Sequence, residues 1–158
     1  MPRTMVPEVF HPRLGFRYSI FTTRLPGAVI YARSAEQPSF DNSPVTINYM
    51  STYFKMKGKT TWNDITLSCY SFEGITETDL YRYFNKNHLN VKEGVEYFAD
   101  MYKHDMQIFM LGPWGVPTAG WQLIGAFISK ASWGTMDYGS NDVIQCEITI
   151  SYDYAELN

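Results

Sequence analysis

From Ile144 to Tyr154 apolar and polar residues alternate without a break. Ile144, Cys146, Ile148, Ile150, Tyr152 and Tyr154 fall on one side, and Gln145, Glu147, Thr149, Ser151 and Asp153 on the other. Successive strand side chains point to opposite faces, so the pattern predicts a β-strand with one dry and one wet face. A strand of about eleven residues spans roughly 35 Å and is nearly double the common length. Such a strand suits a sheet continued across subunits better than the core of one small chain.

The same alternation predicts strands at Phe16–Thr22, with Phe16, Tyr18 and Ile20 on one side, and at Ala28–Ala35 after the Pro26-Gly27 turn. Val45, Ile47 and Tyr49, then Ile65, Leu67 and Cys69, mark two further runs. Between these runs lies Lys55–Asp64, predicting a long hairpin about a Gly-containing centre at Gly58. Lys55, Lys57 and Lys59 then share one face, either as protection of a sheet edge or as a basic ridge for another subunit. Thr76 opens the main helix, whose buried stripe is Leu80, Tyr83 and Phe84 with Asn87 or His88. A second short helix is predicted around Glu93–Met101, and dense strands at Met106–Leu111 and Trp121–Lys130. Residues 1–15, with three prolines, predict an extended arm. The fold class is α+β, mainly antiparallel β, in a single domain over residues 1–158.

Composition sharpens this picture. Charged residues make up only 18% and aromatics 16%, a balance that favours strands and interfaces. The net charge of −3 hides a basic start: five arginines against Glu8 in residues 1–35 give +4 and leave −7 for the remainder. A chain divided in this way can set its basic end against the acidic part of a neighbour. Cys69 and Cys146 sit on apolar sides of strands, as buried thiols of a reducing compartment and not a disulfide. No apolar run is long enough for a leader or a membrane span, which predicts a cytosolic product.

Candidate chemistry is sparse. His11, His88 and His104 are far apart and form no metal-ligand spacing, and His104 and Asp105 point to opposite faces of a strand. Glu93, Glu96 and Asp100 read as a solvated acidic face. Glycines form none of the phosphate-cradling or nucleophile motifs. The sequence thus points to neither enzyme nor cofactor nor metal, and its acidic balance argues against a dedicated nucleic-acid binder.

Three segments in register resemble a known family. Lys55-Met-Lys-Gly-Lys-Thr-Thr-Trp-Asn-Asp-Ile-Thr-Leu-Ser-Cys-Tyr70 is similar to a motif of the tail tube proteins of contractile-tailed bacteriophages, with a basic residue and Gly before a Thr-aromatic-x-Asp segment. Tyr31–Pro38 resembles that family's second strand and its exit, and Asp137, Ser140–Asp142 and Ser151–Tyr154 resemble its end. The secreted tube protein of type VI systems shares the fold. The resemblance implies a tail-tube-type β-barrel or sandwich with one outer helix, a long hairpin, and an inner sheet continued across subunits. It further implies a structural virion protein of hexameric rings stacked into a tube, sheathed by a contractile partner and joined to baseplate and tail terminator proteins. The resemblance also implies that double-stranded DNA passes through the lumen, that the tail is assembled in the bacterial host cytoplasm, and that no membrane is involved.

On that reading Gln145, Glu147, Thr149, Ser151 and Asp153 face the lumen, where acids and hydroxyls let DNA slide. Lys55, Lys57, Gly58, Lys59, Trp62 and Asp64 belong to the inter-subunit hairpin, with Asp137 and Asp142 as acidic partners on an adjacent ring. Glu73, Glu77 and Asp79 face the sheath. The alternatives are a tail-end adaptor or terminator of the same fold, and a monomeric β-sandwich binding module that uses Trp114, Trp121 or Trp133.

Overall fold

The computed structural model describes residues 14–22, 32–72, 76–87, 89–90 and 93–158. Strands β1 (Tyr18–Thr22) and β2 (Ala32–Ala35) come first, followed by β3 (Phe40–Tyr49), β4 (Thr52–Trp62) and β5 (Ile65–Tyr70). Helix α1 (Thr76–Asn87) leads through two short strands, β6 (Leu89–Asn90) and β7 (Val95–Glu96), to the single turn α2 (Ala99–Tyr102). The chain closes with β8 (His104–Leu111), β9 (Pro117–Ser132), β10 (Gln145–Ser151) and β11 (Tyr154–Leu157). Most of the predicted arm, the Pro26-Gly27 turn, residues 28–31, Glu73, His11 and His88 lie outside the described residues.

Seven strands make one antiparallel sheet in the order β1-β8-β9-β10-β5-β2, with β11 beside β10 along β9. Its inward face is apolar because alternation holds strand by strand: Ile65, Leu67 and Cys69 on β5, Met106 and Ile108 on β8, and Ile148 and Ile150 on β10 are all buried. α1 caps this core with Leu80 and Tyr83, while Phe84 is 39% exposed, outside the stripe expected of it. The outer strands β1 and β2 approach each other, and the Tyr18 hydroxyl donates to the Ala32 carbonyl at 2.9 Å. They share no backbone ladder, so the described strands curl into an open sheet and not a closed barrel.

The terminal strand departs from its sequence pattern. Its register against β9 runs unbroken from Ile150↔Ile128 to Leu157↔Trp121, yet the strand is interrupted at Tyr152-Asp153. There both strands change the side they bury. Leu123 and Ala155 point inward before the corner on β9, and Ala126 and Tyr152 after it. Tyr154, expected on the dry face, is exposed. The cause is Gly125, whose φ of +66° few other residues tolerate, and a Cβ there would meet the Asp153 carboxylate. Asp153 is held at this corner by Lys103, whose Nζ donates to both carboxylate oxygens at 2.8 and 2.9 Å.

Two other expectations are corrected. The helix expected at Glu93–Met101 is replaced by a turn at Glu93-Gly94, β7 and the four-residue α2, because Gly94 sits at φ +66° and interrupts the helical path. The predicted hairpin is misplaced: β3 pairs with β4 through a two-residue turn at Met50-Ser51, and Ile65–Tyr70 pairs instead with β10 and β2. Gly125→Ala should lower stability by about 1–2 kcal/mol for the left-handed backbone alone, with the clash against Asp153 adding to it. A urea midpoint equal to that of the unmodified chain would contradict this account of the corner.

Candidate functional site

The β3–β4 hairpin is the most unusual surface of the molecule. Its strands, ten and eleven residues long, pair with each other and with no other strand among the described residues. Apart from its root, nearly every residue is exposed. Register assigns its two faces. Thr46, Lys55, Pro44 and Lys57 lie on one, while Val45, Ile47, Tyr49, Phe54 and Met56 lie on the other. The second face is thus a continuous apolar surface on a ribbon that no other described element covers.

Gly58 stands not at a turn but in mid-strand, at a bulge. Pro44 pairs with Lys57 and Asn42 with Thr60, so two residues of β4 oppose Ser43. A Cβ on Gly58 would run into the Ser43 carbonyl oxygen, which explains the glycine. The extra residue also corrects the lysine row. Thr60 shares the face of Asn42, to which its Oγ1 donates at 2.6 Å, so Lys59 falls on the opposite face from Lys55 and Lys57.

The Thr61-Trp62-Asn63-Asp64 segment fixes the hairpin to the body. The Asn63 amide donates to the Ser39 carbonyl at 2.9 Å, and its side-chain Nδ2 donates to Asp41 Oδ2 at 3.0 Å and Ser39 Oγ at 3.2 Å. Trp62 packs edge-on against Phe40, ring centroids 5.3 Å apart, and reaches Tyr152 at the sheet corner at 6.0 Å. Burial raises the Tyr152 phenol above the ordinary tyrosine pKa; the backbone at Ser39 opposes that rise and the Asp64 carboxylate adds to it. Root, corner and core form one packed unit.

On the wet face of β10, Gln145, Glu147, Thr149 and Ser151 stay together as expected. Register sets Ser68 and Thr66 of β5 on one flank and Ser132 and Lys130 of β9 on the other. The Ser68 hydroxyl donates to Gln145 Oε1 at 3.4 Å. Asp153, at the corner beyond this group, pairs with Lys103. The face is therefore rich in hydroxyls, with the acid Glu147 balanced by the base Lys130, and is less acidic than the sequence suggested.

Asp137 and Asp142 come together in the loop from Trp133 to Ile144. The Gly139 amide donates to Asp137 Oδ1 at 2.9 Å, and Ser140 Oγ donates to Asp142 Oδ2 at 3.3 Å. Met136, Tyr138 and Val143 stand exposed beside them, and the loop borders an open cleft of about 650 Å³. Glu77 and Asp79 lie in α1, where Asp79 is 4.0 Å from Arg82.

Among the described residues no three of His, Cys, Asp and Glu gather as a metal site. His104 is buried beneath α1 with Nδ1 3.0 Å from the Tyr102 carbonyl, while Asp105 is exposed. Cys69 and Cys146 face each other across β5 and β10 as buried thiols, and burial together with Cys146 pushes Cys69 up to about 11. Among the described residues no helix is long and apolar enough to cross a membrane.

The model of the T4-like virus tail tube protein gp19 family matches residues 45–156, from the hairpin through β11. The chain belongs to that family. Solved structures share this tail tube fold along nearly their whole length. A chain of the anti-feeding prophage cap, described as the tube terminating cap, is 22% identical with a TM-score of 0.75, covering 100% of this chain and 99% of its own. One from the sheath-tube complex of the extracellular contractile injection system PVC, in its extended state, is 24% identical with a TM-score of 0.70 over 95% and 93%. A type six secretion system protein follows at 8% identity and 0.54 over 90% and 82%. No curated protein sequence matches.

Trp62→Ala should cost about 2–3 kcal/mol, below the roughly 3–5 kcal/mol of a fully buried Trp. It should also free the hairpin from its fixed direction. Amide exchange in β3 and β4 should then accelerate while β10 stays protected, and unaltered hairpin protection would remove Trp62 as the anchor.

Proposed function

We propose that this tail tube family member is a structural, non-enzymatic subunit that forms hexameric rings stacked into the hollow inner tube of a contractile tail. The observation that carries the reading is the β3–β4 hairpin: a tail-tube fold that holds out a long ribbon with one apolar face finds a use for it only against further copies. The outer edges of β1 and β2, which pair with no further strand among the described residues, are likewise suited to continuing the sheet into neighbours.

In this arrangement the wet face of β10 lines the lumen, with Gln145, Glu147, Thr149 and Ser151 beside the hydroxyls of β5 and β9. Double-stranded DNA meets a wall of short neutral side chains in which Glu147 offsets Lys130, so little counterion release drives phosphate adhesion and the polymer slides. α1, with Glu77 and Asp79 and with Glu73 just before it, faces the contractile sheath. Baseplate and terminator proteins close the two ends. The sequence family and the resemblance to the sheath-tube complex support these partners. The tail is assembled in the bacterial host cytoplasm.

A second reading is favoured by one observation, the full-length likeness to the tube terminating cap. A terminator of this fold halts at one ring. Negative-stain electron microscopy of the purified chain over a concentration series separates the readings. Hollow tubes of uniform width with a regular axial repeat are expected; isolated rings at every concentration would favour the terminator, and monomers throughout would contradict both.

The lumen assignment has its own test. Glu147 is exposed, and the native thiols Cys69 and Cys146 are buried, so Glu147→Cys offers one accessible thiol. In assembled tubes it should react with a small biotin-maleimide yet stay closed to streptavidin until the tubes are dissociated. Streptavidin decorating intact tubes along their length would place this face outside.

A further inference from the structure

A cavity of about 210 Å³ opens where the chain enters β1 and leaves β2. Ala35, Ile108, Met110 and Trp121 wall it, and the exposed Leu14 and half-buried Arg17 border it. The Glu36 carboxylate beside it is already engaged, as the Thr66 amide donates to Oε2 at 2.9 Å. Two features call for an occupant. The volume falls below the roughly 300–1,000 Å³ of a small-molecule pocket and suits one side chain. The Trp121 Nε1 is buried and has no hydrogen-bond partner among the described residues. Buried N–H groups are seldom left so, and an occupant that brings an oxygen would satisfy this one.

The occupant must therefore be a largely apolar side chain that ends in an acceptor. Tyrosine meets both demands, whereas tryptophan only donates, which sets aside the 92% exposed Trp114. Of the exposed tyrosines, Tyr49, Tyr53 and Tyr154 lie within paired strands, and Tyr81 stands on α1 beside Arg82. Tyr138 is fully exposed and projects from a tight turn. The Ser140 amide donates to the Asp137 carbonyl at 3.3 Å, and the Gly139 amide to Asp137 Oδ1 at 2.9 Å. A side chain carried on so fixed a turn loses little freedom on docking. Charge favours the same residue, because its neighbour Asp137 suits Arg17, while Arg82 beside Tyr81 would repel it. Tyr138 does not fill the cavity of its own chain; it borders a separate cleft.

We propose that Tyr138 of one copy enters the β1–β2 cavity of a second copy. Its phenol oxygen accepts from Trp121 Nε1, its ring lies among Ala35, Ile108 and Met110, and Asp137 faces Arg17. The inference rests on the tube reading and adds a contact in which the β3–β4 hairpin takes no part. Knob and socket are different patches, so each copy gives one and receives one, and the contact is heterologous.

Assembly of the full chain tests this. Tyr138→Phe keeps the ring but loses the acceptor, and should raise the concentration needed for assembly about fivefold. Tyr138→Ala removes the anchor and should raise it about thirtyfold. In a Trp121→Phe background Tyr138→Phe should have no further effect, since donor and acceptor act as one pair. An undiminished effect in that background would overturn the assignment. A second measurement does not depend on Trp121 variants folding. Tyr138→p-azidophenylalanine, irradiated in assemblies of isotope-labelled and unlabelled chains, should cross-link between copies to peptides holding residues 14–18, 35–37 or 108–111. Links confined to other peptides would also overturn it. If Tyr138→Ala assembles at the parent concentration, this contact falls and the tube reading stands. An unmodified chain that stays monomeric under the same conditions defeats both.

Discussion

A two-stranded ribbon of β-sheet cannot bury a face by itself, because pairing joins its edges and leaves nothing stacked on either face. β3 and β4 are such a ribbon, and one of its faces is apolar from Val45 to Tyr49 and from Phe54 to Met56. The sheet of the body does not cover it, as it is already packed on its own inward residues with α1 above. An exposed apolar surface of this length invites aggregation unless a specific partner occupies it.

Anchoring is what separates a docking arm from a loose loop. Trp62 and Phe40 tie the ribbon to Tyr152, Asn63 ties the two strands together at their base, and Tyr152 sits beside the corner that Gly125 makes possible. The direction of the arm is thus set by the same residues that fold the body. Pre-orientation lowers the entropy lost on association, so a ribbon held in this way binds better than its contacts alone would allow.

The alternation of β5 and β10 was fully legible, since one dry face and one wet face leave a period of two in the sequence. The tail tube resemblance was legible too, and the family model matches residues 45–156. The hairpin turn was not. Met50-Ser51 has none of the usual Asn-Gly chemistry, and Met50 adopts φ 50° without being glycine. Gly58 drew attention away from it, though its task is to clear the Ser43 carbonyl at a bulge. The signal that could have placed the turn is the matched alternation of Val45, Ile47 and Tyr49 with Thr52, Phe54 and Met56. For the same reason the lysine row was misread, as an inserted residue changes the face of everything beyond it. Tyr154 leaves the dry face because a corner flips the phase of two paired strands at once, and only Gly125, distant in sequence, announces it.

The central claim is that the hairpin serves other copies and contributes nothing to its own fold beyond its root. Replacing residues 42–60 with an Asn-Gly turn, which leaves Phe40, Asp41, Trp62 and Asn63 in place, tests this most directly when thermal unfolding and sedimentation are read on one sample. The account predicts a folded chain whose melting temperature matches that of the unassembled parent chain and which forms no stacked tubes at any concentration. A shortened chain that still builds tubes, or one that no longer folds, would contradict it.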